Sequence, residues 1–244
     1  METDLGFAGL PRLTPRLALI ASMVDRGSFV LDVGTDHGYL PIYLVGRGIC
    51  RGAAASDINE GPVAAARRNA ARAGLSDRIK ISLGDGTRPA EDCGADTVIM
   101  AGMGGEVMAG IIERSEICKK DGVRLLLQPM TKHEELRGYL NGHGYVIDTE
   151  RLCREGRRLY LVLSARAGKT QVWDDARCFF GERLFDGPEP LAGEYLAARR
   201  AELEKELNGL RRAREPDCKR CAAIERMLAR ADRLAASLDA GAGR

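Results

Sequence analysis

Four short apolar runs near the start of this chain each stop at an acid or a glycine. Phe29-Val30-Leu31 leads into DVGTDHGYLP (32–41), and Gly52 to Ser56 leads into Asp57. Arg78 to Leu83 leads into GDG, and Thr97 to Met100 leads into AGMGG. Apolar runs of this length bounded by turn residues read as buried strands. Stretches with helical periodicity lie between them, and strands alternating with helices predict an α/β sheet with mostly parallel strands. Ligands of such sheets bind beyond the carboxyl ends of the strands. Gly34, Asp36, His37, Asp57, Asp85, Gly86, Gly102 and Gly104 all fall at those ends.

The flanking elements follow from local rules. Thr14, Pro15 and Gly27 mark the cap, first residue and stop of a helix whose apolar face is Leu13, Leu17, Ile20, Ala21 and Val24. Helices are expected near Tyr39 to Arg47, Pro62 to Ala73 and Glu106 to Arg114. A fifth strand covers Val123 to Leu127. Thr131 and Glu134 have the spacing of a capping box for the next helix. Tyr145 to Leu152 and Arg158 to Ser164, joined by CREG, read as an antiparallel hairpin.

After Ala167 the composition shifts to Ala, Glu, Arg and Leu, which are helix formers. Leu196, Leu203, Leu207 and Leu210 suit one helix. Pro216 interrupts, and Ala222, Leu228, Leu234 and Leu238 suit a second helix from about Cys218 to Leu238. This predicts a helical hairpin (168–244) appended to a first domain (1–167). It is expected to serve either as a packing arm or dimerisation element, or as an RNA grip through Arg199, Arg200, Arg211, Arg212, Arg214, Lys219 and Arg220.

Bulk properties exclude little. The 37 basic and 35 acidic residues give a net charge of +2. Residues 166–244 hold 16 basic and 14 acidic side chains, which leaves 21 of each before them. Any nucleic-acid surface is therefore a local patch. No apolar run reaches about 18 residues, so a spanning helix is not expected. METDLGFAGLPRL lacks the basic and apolar regions of a secretory leader. Seven cysteines without disulfide rhythm suit reduced thiols and a cytoplasmic setting. Cys218-x-x-Cys221 has no second pair and no nearby His, so no metal site is expected.

The turn residues narrow the ligand. An acid at the end of the second strand accepts hydrogen bonds from ribose hydroxyls, in NAD or in S-adenosylmethionine. Asp85 either accepts from an adenine amine or simply shapes its turn before Gly86. His37 either contacts the ligand or the substrate, or starts a helix. The carboxylate of Asp36 opposes a pyrophosphate but tolerates a sulfonium and an ammonium, which favours S-adenosylmethionine. The glycines of AGMGG allow a flat acceptor to approach the backbone closely. The segment offers no Ser, Cys or Lys nucleophile, which suits direct in-line transfer.

DVGTDHGYLPIYLV, ASDINEGPVAAA, GDG and IMAGMGGEVM, in that order, resemble the bacterial tRNA (adenine(22)-N1)-methyltransferases over roughly residues 12 to 165. The resemblance implies a Rossmann-like class I methyltransferase fold, S-adenosyl-L-methionine as cofactor, and methylation of adenine N1 in the D-arm of tRNA. It implies also a helical, coiled-coil-like C-terminal domain. Gly34, Asp36 and His37 match the first cofactor motif of that family. Asp57 matches its ribose acid, and Asp85 and Gly86 its adenine-side motif. Gly102, Met103 and Gly104 match the segment that replaces the Asn-Pro-Pro-Tyr of amino-group methyltransferases and positions the acceptor, with His37 beside it. Adenine N1 carries an in-plane lone pair, so it needs no strong base. The alternatives are methylation of another RNA, protein or small molecule, an NAD-dependent oxidoreductase, and a non-catalytic RNA-binding module.

Overall fold

The computed structural model describes residues 10–169, 172–215 and 217–242, without the side chains of 240–242. The first nine residues and Pro216, on which the leader and helix-break readings rest, lie outside the described residues. The elements run α1 (Pro15–Met23), β1 (Phe29–Val33), α2 (Tyr39–Gly46), β2 (Gly52–Asp57), α3 (Glu60–Arg72) and β3 (Ile79–Leu83). Then come β4 (Thr97–Gly104), α4 (Gly105–Arg114), β5 (Arg124–Thr131), α5 (His133–Gly142), β6 (Tyr145–Glu155) and β7 (Arg158–Ala167). Helices α6 (Asp175–Phe180), α7 (Ala192–Arg212) and α8 (Cys218–Ala242) complete the chain.

The seven strands form one sheet in the order β3-β2-β1-β4-β5-β7-β6. The first five are parallel, and β7 runs antiparallel to both its neighbours. The period-two alternation of a strand divides its side chains between two cores. Leu31, Val98, Met100, Leu125, Leu127 and Leu161 face one side. Val30, Ile99, Leu126 and Val162 face the other, against α1 and α2. The chain order reverses at β1 and β4, so their carboxyl ends open the crevice in which such sheets bind ligands.

Several strands run longer than expected, and the hairpin extends to Glu155 in β6 and Ala167 in β7. Ladder pairing carries β4 to Gly104 and β5 to Thr131, with register shifts at Ala101, Met103 and Gly104. Irregular pairing of this kind bends a strand and re-aims its residues. The capping box is not formed. Lys132, in the left-handed region at φ 60°, occupies the cap position of α5, and no side chain caps the helix. Thr14 does precede α1, but its side chain makes no capping hydrogen bond.

The helical tail forms the expected hairpin. Leu196, Leu203 and Leu207 of α7 pack on Ile224, Met227, Ala231 and Leu234 of α8. Helix α6 was not read from the sequence. It is short, capped by the Asp174 carboxylate, which accepts from the Arg177 N–H at 2.8 Å.

An ion pair pins this tail to the sheet. Arg137 on α5 donates Nε–H to Glu150 Oε1 on β6 at 2.6 Å, and both side chains are fully buried. The guanidinium also donates to the carbonyls of Cys178 (3.0 Å) and Phe179 (3.2 Å) and to Tyr195 Oη. The Arg183 N–H donates to Glu150 Oε2 at 3.1 Å. Gly181, at φ 85°, passes so near that a Cβ would lie 2.7 Å from both charged groups, so only glycine fits there. Four of these partners lie beyond Ala167, so cutting the chain there would strip a buried charge pair of its remaining hydrogen bonds.

Replacing Arg137 with Met leaves Glu150 buried and unpaired, and should cost about 3–5 kcal/mol. Urea unfolding should show a lower midpoint. A loss as small as that of a surface ion pair would place the pin elsewhere.

Candidate active site

The end of β1 is shaped by its own turn. Gly34 sits at φ 72°, and a Cβ there would run into Cε of Met103. The first turn and the AGMGG segment therefore face each other across the gap between β1 and β4. The N–H groups of Gly34 and Thr35 donate to Ser56 O at 2.8 and 3.0 Å, which ties the turn to β2. Asp36 is also left-handed, at φ 51°. Its N–H donates to Asp57 Oδ2 at 3.2 Å, while its own carboxylate points out, 3.6 Å from His37 Nε2. The His37 ring stacks on Tyr39 at 5.3 Å, and its carbonyl accepts from Asn69 Nδ2.

Asp57 is only 9% exposed and accepts from two backbone amides, those of Asp36 and of Asn59 (2.9 Å). Such donors stabilise a carboxylate without supplying a positive charge. Asp32 was not singled out in the sequence, although an acid inside the apolar run FVLDV is a usable signal. It is 5% exposed, accepts from Thr35 Oγ1 at 2.6 Å, and is pushed up to about 7. Burial is the largest cause; the Thr35 hydrogen bond opposes it and the Asp57 charge adds to it. Among the described residues no Lys or Arg forms an ion pair with either carboxylate. Two buried acids with no cation nearby suit a ligand that brings its own positive charge.

Asp85 is half-exposed, with the Arg114 guanidinium 3.7 Å away. The Gly86 carbonyl accepts from Ser56 Oγ at 2.7 Å, so β2 also holds the third turn. On the other side, the Gly102 N–H donates to Gln128 Oε1 at 3.1 Å. Arg16 of α1 donates to the same oxygen at 3.2 Å. Neither Gln128 nor Arg16 was read from the sequence, because their meaning lies in a contact between distant elements. Gly104 lies opposite Thr131, whose Oγ1 would be 3.3 Å from a Cβ added there. Gly105 is structural, since a Cβ would overlap the Lys132 carbonyl. The structure thus places all the expected site residues on the carboxyl edge of β1 to β4. A groove of about 540 Å³ elsewhere, between α5, α6, α7 and α8, shares none of them.

The tail arginines are mostly spent on acids. Arg199 reaches Glu134 (2.8 Å) and Glu202 (2.5 Å) and lies over the Phe179 ring. Arg200 bonds Glu204 and Asp232, Arg211 bonds Glu225, and Arg220 bonds Glu206. Arg212, Arg214 and Lys219 are exposed. Cys221 is a free thiol, and the described residues contain no cluster of metal ligands. No helix among them is long and apolar enough to cross a membrane.

The strand order, the glycine turn after β1 and the acids without a basic partner at the ends of β1 and β2 define a class I methyltransferase. The chain belongs to the methyltransferase-domain family, whose sequence model matches residues 13–163. It is 34% identical over 157 residues to the tRNA (adenine(22)-N(1))-methyltransferase of Bacillus subtilis, a match spanning 64% of this chain and 66% of that one. The crystal structure of the B. subtilis m1A22 tRNA methyltransferase TrmK is similar with a TM-score of 0.83 at 25% identity, covering 92% of this chain and 99% of that one. The Streptococcus pneumoniae protein Sp1610, solved in complex with S-adenosyl-L-methionine, is similar with a TM-score of 0.77 at 31% identity, covering 90% and 98%.

The raised Asp32 value has a definite sign. The native state holds this proton more tightly than the unfolded chain does. The stability it contributes is complete below about pH 4 and is lost as pH rises through about 7. At 1.36 kcal/mol per unit the loss reaches up to about 4 kcal/mol. Asp32→Asn should therefore melt higher than wild type at neutral pH, without ligand, and match it in acid. Equal melting temperatures across the range would mean that Asp32 is not held protonated by its surroundings.

Proposed function

We propose that this protein transfers a methyl group from S-adenosyl-L-methionine to N1 of an adenine in the D-arm of tRNA. The observation that carries the reading is the pair of buried, cation-free carboxylates beneath a glycine turn that faces Met103. The cofactor supplies an electrophilic methyl group on a sulfonium; its ammonium and sulfonium bring positive charge towards Asp32, and its ribose hydroxyls donate to Asp57. The similarity to tRNA (adenine(22)-N(1))-methyltransferases supports the acceptor.

In this reading Gly34, Asp36 and His37 hold the methionine side, Asp57 the ribose, and Asp85 with Gly86 the adenine side. Gly102, Met103 and Gly104 seat the accepting base. The chain's task is then alignment, since N1 of adenine attacks with its own lone pair. A paired adenine would have to leave its stack to reach this edge. Residues 1–167 would form the catalytic unit and 168–244 a tRNA-contacting unit, with Arg212, Arg214 and Lys219 as the basic side chains still open to phosphate. A cytoplasmic location follows from a tRNA substrate.

Mass spectrometry of nucleosides from unmodified tRNA, treated with protein and cofactor, tests the proposal. It should reveal 1-methyladenosine. A different methylated nucleoside, or none while a protein or small molecule is methylated instead, would assign the domain to another substrate.

Two substitutions separate the halves of the site. Asp57→Ala should weaken cofactor binding by about 1.5–3 kcal/mol, the worth of a charge-assisted hydrogen bond. Unchanged affinity by calorimetry would remove Asp57 from the site. Gly104→Val puts a branched side chain beside Thr131, at a backbone φ of −69° that any residue tolerates. Cofactor affinity should stay near wild type while turnover is lost; near-normal turnover would move the acceptor away from Gly104.

A further inference from the structure

Among the described residues, five of the six large apolar side chains that stand exposed sit on the carboxyl edge of the sheet: Tyr39, Ile58, Leu83, Val107 and Met130. Val107 and Met130, 56% and 37% exposed, lie on the β4–β5 side, beside Gly102 and Gly104. An apolar floor there suits the face of a base. It does nothing for the phosphate that a nucleotide carries, and the rest of the edge is acidic, with Asp32, Asp36, Asp57 and Asp85. A polyanion can enter only if a cation meets it on the acceptor side.

Arg16 is that cation. Its Nη1 lies 3.3 Å from where a Cβ on Gly102 would be, and 4.0 Å from Met130 Sδ. The guanidinium therefore borders both the glycine segment and the apolar floor. Its charge is answered only by one long ion pair, with Glu155. Nη1 donates to Gln128, a neutral acceptor, and the one acid nearby, Glu155, is 3.9 Å from Nε. The Tyr160 ring centroid lies 5.9 Å away. Nη2 makes no hydrogen bond among the described contacts. Lys132, at the other side of the floor, differs. It is bound to Glu135 at 2.7 Å with Glu106 at 4.0 Å.

Gln128 explains why Arg16 stands where it does. Its side chain is fully buried, and Oε1 accepts from both the Gly102 N–H and Arg16. Its Nε2 donates to the Pro129 carbonyl at 3.0 Å. One amide thus fixes the guanidinium and the acceptor segment in a common frame. We infer that Arg16 is a substrate-binding residue that holds the phosphate of the accepted nucleotide, with Gln128 as the positioning residue behind it. The inference rests on the RNA-methyltransferase reading above.

A purely structural Arg16 would also matter, by tying α1 to Glu155 and Tyr160, so the test must see the phosphate. kcat/KM for an unmodified tRNA transcript, measured at saturating S-adenosylmethionine over a salt series, reports the number of phosphates neutralised. Arg16→Met should lower kcat/KM about tenfold or more. It should also make the log–log salt slope shallower by about 0.7–0.9, one phosphate's share, with cofactor affinity by calorimetry unchanged. Arg16→Lys keeps the charge and should keep the slope. A methylating wild type whose Arg16→Met variant retains the full slope, or loses cofactor affinity in step with tRNA activity, overturns the role of Arg16 alone. A wild type that leaves tRNA unmethylated overturns the underlying reading and this inference with it.

Discussion

Two carboxylates, Asp32 and Asp57, are buried at the ends of adjacent strands, and no basic side chain answers them. Most features of the carboxyl edge follow from that constraint. Asp57 accepts hydrogen bonds from the amides of Asp36 and Asn59, which requires the β1 turn to fold back over β2. That turn in turn needs left-handed backbone at Gly34 and Asp36. Asp32 lacks such amides and holds its proton up to about pH 7 instead. Backbone dipoles and a proton are what a protein uses to tolerate buried acids when it has no cation of its own. A ligand that carries both a positive charge and ribose hydroxyls relieves both at once.

The same acids set the problem for the second substrate. An edge that attracts a sulfonium repels phosphate, so an RNA must present its base there and be held by its backbone elsewhere. The tail arginines look suited to this in composition. In the structure, however, Arg199, Arg200, Arg211 and Arg220 are tied to neighbouring carboxylates that fasten α7, α8 and α5 together. Much of the tail's charge thus goes into packing, and the exposed Arg212, Arg214 and Lys219 remain. The buried Arg137–Glu150 pair has a related role, fixing the tail against α5 and β6 so that whatever it holds is held at a constant offset from the site.

Much of the architecture was legible in the sequence because it rests on local signals. The apolar runs, their period and their glycine or acid ends are consequences of strands buried on both faces, and the hairpin of β6 and β7 follows from alternation. The positions of the candidate site residues at strand ends were legible for the same reason. Less visible was anything made by pairing between distant segments. Continued ladder bonds carry β4 and β5 past the turn-like AGMGG and into Pro129-Met130-Thr131. The capping-box spacing at Thr131 lost to that strand pairing, which leaves Lys132 left-handed at the helix start. Arg16 and Gln128 are ordinary residues in their own segments, and only the approach of α1 to β5 gives them a task. Asp32 was hidden by its strand, where an acid reads as an interruption and not as a ligand group.

The central claim is that the buried Asp32 carboxyl is built to face a cation, and proton release measures it directly. Cofactor binding can be followed by calorimetry in buffers of different ionisation enthalpy, at a pH just below the Asp32 value of about 7. A ligand carrying a sulfonium and an ammonium should force Asp32 to ionise, so S-adenosylmethionine should release a proton on binding. The release should vanish in Asp32→Asn. Heats that do not depend on the buffer in the wild-type protein would show that Asp32 keeps its proton beside the ligand, and would contradict the account.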